Sequence, residues 1–234
     1  MALLKHLKFL FLDGSRISED IMLDKSVEFK HIIMKIEAER IKVAGHPTLP
    51  EGYSFRFFTT DDEAHWARIE TSVLEFEAEG IAREYFTKSF LPRKGELLKR
   101  CVFVLDPEGL PIATATAWFA NSELGHQASL HWVAVCPEHQ GLGIGRAVVQ
   151  QALMIFHELD PSSPVWLHTQ TWSHVAVKLY HGLGFNMMKT AKLANSNTRD
   201  GVPKIYQNDY DEAVEILTTV MDGDFLNRLI SAAV

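Results

Sequence analysis

The stretch Val133-Ala-Val-Cys-Pro-Glu-His-Gln-Gly-Leu-Gly-Ile-Gly-Arg146 decides how this chain is expected to fold. Its apolar start is typical of a strand end, its proline of a loop, and its three alternating glycines precede an amphipathic helix that continues to about residue 158. A glycine-rich turn before a helix presents several backbone N–H groups in one direction, and with the helix dipole they favour a phosphate. The stretch therefore predicts an anion-binding loop between a strand and a helix.

Three other interpretations of this loop are weaker. A plain turn does not need three glycines. A dinucleotide-binding fingerprint requires G-x-G-x-x-G and an acidic residue ~20 positions later, but Arg146 and Val148 stand where the third glycine would fall and the next strand has no acid. The Gly-Lys-Ser/Thr end of a P-loop is missing as well.

The elements around the loop indicate a mixed sheet. The clearest hairpin is formed by residues 101–105 and 112–119 around the turn Asp106-Pro-Glu-Gly109. We expect further strands at 26–36, 53–58, 128–135, 164–170, 185–190 and 203–208. Helices are expected at 60–76 after the capping box Thr60-Asp-Asp-Glu63, and at 81–90, 94–100, 173–182 and from 211. An antiparallel hairpin that feeds a strand–helix–strand unit predicts an α/β (α+β) fold with helices on the faces of a mixed sheet.

A second motif, Leu179-Tyr-His-Gly-Leu-Gly-Phe185, follows the glycine loop after one helix and one strand. Together the two motifs resemble the GNAT superfamily of N-acetyltransferases, whose acetyl-CoA motif is Gln/Arg-x-x-Gly-x-Gly/Ala. The resemblance covers about residues 53–190, and the wording LPEGY, HWVAV and TQT is similar to a bacterial branch whose substrates are mostly unassigned. It implies a mostly antiparallel sheet in which two parallel strands, residues 129–135 and 165–170, splay apart.

The resemblance also implies a division of the chain. Residues 1–50 are expected to form an N-terminal extension with an extra strand, residues 51–192 the acetyltransferase domain, and residues 193–234 a strand and helix tail that packs on the same domain. The apolar opening, residues 1–12, is interrupted by Lys5, His6 and Lys8 and lacks a small-residue cleavage site. It fits an amphipathic helix or an unstructured leader better than a signal peptide.

The cofactor implied by the resemblance is acetyl-CoA. Its pantetheine would bond the backbone of Val133, Ala134 and Val135. Its pyrophosphate would lie on the glycine loop, and Ser173 occupies a place where relatives often carry an asparagine that bonds coenzyme A. The loop residues implied are Gln140, Gly141, Leu142, Gly143, Ile144, Gly145 and Arg146.

The resemblance places Tyr180 at the position of the tyrosine that protonates the leaving thiolate in many relatives. A core tyrosine is the competing interpretation. No acid occupies the usual place of the general base, where this chain has His131 and Ser129, with His168 on the second strand. Either histidine can act as a base, and either can instead be a structural hydrogen-bonding residue. The acidic cluster Glu75, Glu77 and Glu79 fits a solvated helix edge or the entrance for an amine.

Composition excludes several classes of protein. The 234 residues carry a net charge of −7 without a long basic run, which argues against nucleic-acid binding. No apolar run approaches the ~20 residues that cross a bilayer, so no membrane association is expected. The two cysteines, Cys101 and Cys136, form no disulfide framework and favour the cytoplasm. His174 and His181 lie two helical turns apart, ~10 Å, which argues against a metal site.

Two functions follow as hypotheses. The first is an N-acetyltransferase that transfers acetyl from acetyl-CoA to a primary amine of a small molecule or peptide, by direct attack in a ternary complex. The second is a non-catalytic acyl-CoA-binding or regulatory module that has kept the cleft and lost its base. The sequence leaves the acceptor and a homodimeric assembly open.

Overall fold

The computed structural model describes residues 23–42, 44–196 and 202–234, so the predicted leader at 1–12 lies outside the described residues. Its strands are β1 (His31–Ile36), β2 (Ser54–Phe57), β3 (Cys101–Leu105), β4 (Pro111–Ser122), β5 (Gly125–Val135), β6 (Val165–Gln170), β7 (Asn186–Met187), β8 (Leu193–Asn195) and β9 (Lys204–Tyr206). Its α-helices are α1 (Ala38–Ile41), α2 (Glu63–Ser72), α3 (Glu79–Ser89), α4 (Lys94–Arg100), α5 (Ile144–Leu159), α6 (His174–Gly182), α7 (Tyr210–Val220) and α8 (Gly223–Ser231). None of the helices in this described part of the chain is long and apolar enough to cross a bilayer.

Seven strands form one sheet in the order β2-β3-β4-β5-β6-β1-β7. Only β5 and β6 run parallel, and every other neighbouring pair is antiparallel. The central strand β4 is buried on both faces along most of its length, and both α5 and α2 pack on it. The predicted mixed, mostly antiparallel sheet with helices on both faces is therefore confirmed.

The predicted hairpin is β3 and β4. Asp106 Oδ1 accepts hydrogen bonds from the backbone N–H groups of Glu108 and Leu110, which closes the turn. Cys101 pairs with Thr116 at the far end, so the short turn sets the register of the whole hairpin.

The N-terminal strand β1 lies inside the sheet. It pairs with β6 along six residues, from His31 opposite Gln170 to Ile36 opposite Val165, and it pairs with β7 on its other edge. Ile33, which is fully buried, lies near the middle of this strand. The division of the chain near residues 50 and 192 stays a prediction.

The strand predicted at 26–36 begins only at His31, because the preceding backbone bonds the turn that follows β6. Trp172 Nε1 donates to the Val27 carbonyl (2.8 Å), and Thr171 Oγ1 donates to the Glu28 carbonyl (2.5 Å). Residues 23–30, which we call the N-terminal strap, thus run beside the end of β6 instead of extending β1.

The predicted capping box is wrong. Helix α2 begins at Glu63, and the Asp62 carboxylate does not cap it. Asp62 Oδ2 instead accepts hydrogen bonds from the Thr59 N–H (2.6 Å) and Oγ1 (2.8 Å), and Arg56 donates to both of its carboxylate oxygens. This ion pair, in which Asp62 is buried and Arg56 is partly exposed, anchors the connection from β2 to α2. The tail also differs from expectation: it contains β8 and a second helix, α8, which the sequence pattern did not indicate.

We expect Asp62→Asn to lower the free energy of unfolding by about 1–2 kcal/mol at neutral pH, because hydrogen bonds to a charged group are lost. The loss is no larger because Arg56 is partly exposed, so solvent screens its interaction with Asp62. Burial alone would raise the pKa of Asp62, but the bonds from Arg56 and Thr59 outweigh it and lower that pKa. The contribution is therefore fully present above the unfolded-state value of about 3.9 and is lost as pH falls through the folded pKa. Denaturant titrations between pH 2 and 7 measure this difference. The control is Asp61→Asn at an exposed position with φ of 75°, which asparagine tolerates, and an equal loss in both variants would contradict the assignment.

Candidate active site

A cavity of about 400 Å³ opens where β5 and β6 separate. The two strands pair only at Ala128, Ser129 and Leu130, opposite Val165, Trp166 and Leu167. Beyond these three pairs, β5 follows β4 and β6 follows β1, so the two inner edges have no partner strand among the residues that the structure describes. The cavity is also walled by the end of α2, the start of α6, the N-terminal strap and the small β8–β9 sheet.

A β-bulge turns β5 away from β6. Thr114 pairs with Ala134 but Thr116 pairs with His131, so two residues of β5 stand opposite one residue of β4. Trp132, at this bulge, has a left-handed φ of 52°, which is costly for a side chain of its size. Its indole lines the cavity and contacts three aromatic rings with centroid distances of 5.2–5.4 Å: Trp66, Phe76 and Tyr85.

The glycine loop lies at the end of β5. Gly141 and Gly143 have φ values of 76° and 81°, in the region that disfavours other residues, and Gly143 is the residue that precedes α5. Counted from Gly141, Ala147 is the first residue whose backbone N–H has a protein acceptor, which is the Gly143 carbonyl (3.1 Å). Among the described residues, the N–H groups of positions 141–146 have no protein acceptor. They form a set of donors at the positive end of a helix of 16 residues.

The side chains beside this loop support it. Gln140 Nε2 donates to the Val135 carbonyl (2.8 Å) and so ties the loop to the end of β5. Arg146 is exposed and reaches the Gly182 carbonyl of α6 (3.3 Å). Leu142 is also exposed, whereas Ile144, the first residue of α5, is buried. Because both side chains are apolar, these two residues can offer an anion only their backbone N–H groups.

The apolar triplet before the loop has one free edge. Ala134 and Val135 pair with Thr114 and Ala113 of β4, and Val133 lines the cavity. An extended chain with amide groups can lie along such an edge as an additional strand would.

Tyr180 and Ser173 reach the same cavity from α6 and the turn before it. Burial first, then the charges of Glu70 and Glu75, raise the pKa of Tyr180. In the described part of the chain its hydroxyl has no hydrogen-bond partner. Ser173 Oγ accepts from Gln170 Nε2 (3.1 Å) and is nearly buried.

Both predicted histidines also line the cavity. His131 Nε2 lies 2.8 Å from Ser129 Oγ, and burial lowers the pKa of His131 to about 4. His168 Nε2 lies 2.7 Å from His31 Nδ1. Burial, followed by the nearby charges of His31 and His131, lowers the pKa of His168 to about 3. The structure therefore brings all three candidate catalytic residues to one cavity, with both histidines uncharged at neutral pH.

The sequence analysis missed Glu70. This residue of α2 is 1% exposed, lines the cavity, and has no hydrogen-bond partner at Oε1 within the described chain. Burial first, then the charge of Glu75, raises its pKa well above the usual value. A signal was present: Glu70 lies on the apolar stripe of α2 with Trp66, Ala67 and Val73, where a carboxylate is out of place.

Residues from both ends of the chain complete the cavity. His31 of β1 and Trp172 line it beside the strap, and the ring of Tyr206 in β9 stacks on His168 with a centroid distance of 3.9 Å. Gln127 of β5 holds the tail in place, since its Oε1 accepts from the Ala194 N–H (2.9 Å). No local pattern marked these residues, because their contacts are made across long sequence separations.

Glu75 also borders the cavity, whereas Glu77 and Glu79 do not line it. The Glu75 side chain is solvent-accessible, yet protein surrounds it closely enough that desolvation raises its pKa, against the opposing charge of Lys25. Within the described residues, no group of three or more His, Cys, Asp or Glu side chains is arranged to hold a metal ion.

The fold is similar to two solved structures of related description. One is a GCN5-related N-acetyltransferase from Sphaerobacter thermophilus, with a TM-score of 0.52, 18% identity, and coverage of 69% of this chain and 49% of that chain. The other is an acetyltransferase from the GNAT family from Colwellia psychrerythraea, with a TM-score of 0.50, 14% identity, and coverage of 70% and 55%. This chain thus spans about half the length of each, and at these identities the likeness concerns the fold alone. No curated protein matches the chain in sequence.

A family model, that of the Acetyltransferase (GNAT) family, matches residues 60–185. The matched region is more than half of the 234 residues and contains the glycine loop, both splayed strands and Tyr180. The unpartnered amides and the split between β5 and β6 agree with this match, and the chain belongs to the GNAT family of acetyltransferases.

Proposed function

We propose that this protein is an N-acetyltransferase that transfers the acetyl group of acetyl-CoA to a primary amine of a small molecule or peptide, by direct attack in a ternary complex. The observation that carries the proposal is a continuous path of unsatisfied donors and free strand edge. It runs from the amides of 141–146 along β5 to a cavity that contains Tyr180.

The described groups fit acetyl-CoA at three points. The loop amides suit a diphosphate, because an anion completes donors that the protein leaves unpaired. The free edge of β5 suits the two amides of pantetheine. Ser173 offers a hydroxyl beside the cavity. The proposed binding residues are Val133, Ala134, Val135, Gln140, Gly141, Leu142, Gly143, Ile144, Gly145, Arg146 and Ser173.

Acetyl-CoA, when bound, supplies an activated acyl carbon and a thiolate leaving group. Tyr180 then acts as the general acid that donates its proton to the departing sulfur. A thiol of pKa ~8.5 is ordinarily the stronger acid, but burial raises the proton affinity of a thiolate just as it raises the pKa of the phenol. Burial in the cavity therefore raises the pKa of both groups between which this proton moves, the phenol and the thiol.

A base must also remove a proton from the amine, since an alkyl ammonium has a pKa of ~10.4. His131 and His168 remain candidates because they face the cavity as neutral imidazoles. Their low pKa values favour the second hypothesis, a non-catalytic acyl-CoA-binding module, because a base that holds a proton so weakly drives the reaction poorly. Release of free thiol from acetyl-CoA across a panel of amines separates the two: binding of the thioester without release for any amine supports the module.

We also propose a cytoplasmic location, on the ground that both cysteines are buried free thiols. Burial raises the pKa of the Cys101 thiol to about 12, so it is unreactive. A homodimeric assembly stays a prediction.

We expect Gly143→Ala to weaken acetyl-CoA binding at least 10-fold, because a residue with a Cβ disfavours the φ of 81° and the loop amides change direction. The added methyl group has no protein neighbour within 4 Å, so packing is not the cause. Gly109→Ala is a matched control, with φ of 86°, equally free surroundings and a position in the β3–β4 turn, outside the glycine loop. Calorimetric titration measures the affinities, and equal affinity in the two variants would argue against the loop as the diphosphate site.

We expect Tyr180→Phe to lower kcat by about 10²-fold or more while the affinity for acetyl-CoA changes less than 3-fold, since general acids contribute roughly 10²–10⁴ to rate. Tyr210→Phe, on α7 and outside the cavity, is expected to have no effect. Thiol release under saturating acetyl-CoA measures kcat. A parallel loss of affinity and thermal stability in Tyr180→Phe would show instead that this tyrosine has a packing role.

A further inference from the structure

We propose that Glu70 is the counter-ion and general base for the acceptor, and that the acceptor is an amine that arrives as a cation. This inference rests on the acetyl transfer proposed above. It assigns the base to helix α2 instead of to the splayed strands, where the sequence analysis looked for it.

Glu70 has no counter-ion among the residues that the structure describes. It is almost completely buried, its Oε1 has no hydrogen-bond partner, and none of the ion pairs within the described residues includes it. A buried carboxylate without a partner is strongly unfavourable. Because Glu70 lines the cavity, a ligand ammonium can supply the cation and hydrogen-bond donors that the protein does not.

Acidic side chains outnumber lysine and arginine in the lining of the cavity. Its lining contains two carboxylates, Glu70 and Glu75, and one lysine, Lys25, while His131 and His168 are neutral. Lys25 Nζ donates to the Leu74 carbonyl (2.9 Å) and lies 5.5 Å from the Trp172 ring centroid. It is thus held at the cavity mouth and opposes the charge of Glu75. Ionisation of Glu70 therefore leaves one negative charge in the cavity unbalanced, and a cationic ligand compensates this charge whereas a neutral or anionic one does not.

Burial has opposite effects on the basicity of the candidate bases. Burial lowers the pKa values of His131 and His168, but it raises the pKa of Glu70. Of these three cavity-lining groups, the carboxylate is therefore the one whose affinity for a proton is increased by burial, as a proton acceptor requires. An arriving ammonium stabilises the ionised form of Glu70, and the proton then moves from nitrogen to the carboxylate.

Each proton that moves in the proposed transfer has a donor and an acceptor among Glu70, Tyr180 and the two substrates. Glu70 takes one proton from the ammonium, and the nitrogen lone pair that this frees forms the C–N bond to the acyl carbon. As the C–S bond breaks, Tyr180 gives its proton to sulfur and regains one from the newly bonded nitrogen. The net products are an amide, a thiol and one proton, which leaves Glu70 for solvent.

The experiment compares Glu70→Gln with Glu77→Gln, an exposed acid outside the cavity lining. The acceptors are matched pairs of amines, first benzylamine, which is a cation near neutral pH, and aniline, which is not. We expect Glu70→Gln to lower kcat/KM at least 100-fold for the alkyl amine and less than 3-fold for the aryl amine, because only the first needs a base and a counter-ion. Glu77→Gln should match the unsubstituted protein with both.

A second measurement does not depend on turnover. Calorimetric titration without acetyl-CoA should show benzylammonium binding at least 10-fold more weakly to Glu70→Gln than to Glu77→Gln.

The titratable groups that interact electrostatically with Glu70 are Glu75, Tyr180 of α6 and Cys101 of β3. Because its folded pKa is raised, Glu70 stabilises the fold below its unfolded value and loses that contribution as pH rises through the folded pKa. Glu70→Gln should therefore unfold at a temperature equal to or above that of the unsubstituted protein at pH 8.

The outcomes separate the two proposals. Equal loss with both amines, together with a lower unfolding temperature, would show that Glu70 has a packing role and would overturn the inference. So would unchanged turnover of benzylamine, or an unsubstituted protein that acetylates aryl amines and no alkyl amine, and in those cases acetyl transfer itself would stand. Thioester binding without thiol release for any amine would reject acetyl transfer, and this inference with it.

Discussion

The separation of β5 from β6 after three paired residues is the feature on which the site depends. Two strands that are paired on their outer edges along their lengths, with β4 and with β1, hold the gap open. The bulge at Trp132 adds the change of direction, at a cost of about 1–3 kcal/mol for its left-handed backbone. The contacts of its indole with Trp66, Phe76 and Tyr85 offset that cost, so the same residue bends the strand and joins it to helices α2 and α3.

The two sides of the cleft come from different parts of the chain. The loop, the splayed strands and Tyr180 all lie within residues 60–185, which the family model matches. His31, the N-terminal strap and Tyr206 lie outside that region, yet they line the same cavity. In the proposed function, the acyl donor thus lies on the side built from the region that the family model matches, and the acceptor lies on the side to which residues outside that region contribute.

Local sequence signals predicted the parts of the fold that local interactions determine. The β3–β4 hairpin follows from Asp106 and Gly109, and the loop before α5 follows from its glycines. The capping box failed because α2 begins only at Glu63, and the hydroxyl of Thr60, the predicted cap, instead accepts a hydrogen bond from Lys94 Nζ (3.1 Å). The position of β1 between β6 and β7 could not be predicted, because an apolar strand pattern does not specify which strand edges it joins. Glu70 lies outside both sequence motifs, and its place in the cavity depends on contacts of α2 with residues distant in the sequence.

Burial acts on the groups of this cavity in opposite directions, and that contrast bears on what a lost motif residue means. Desolvation disfavours charge, so it makes His131 and His168 poorer proton acceptors while it makes the carboxylate of Glu70 a better one. A strand histidine in this cleft is therefore not a simple replacement for a strand glutamate. A helix carboxylate on the opposite wall is chemically closer to one, because it shares the charge and the direction of the pKa shift. The absence of an acid on β5 and β6 is therefore compatible with the proposed acetyl transfer, because Glu70 of α2 lines the same cavity.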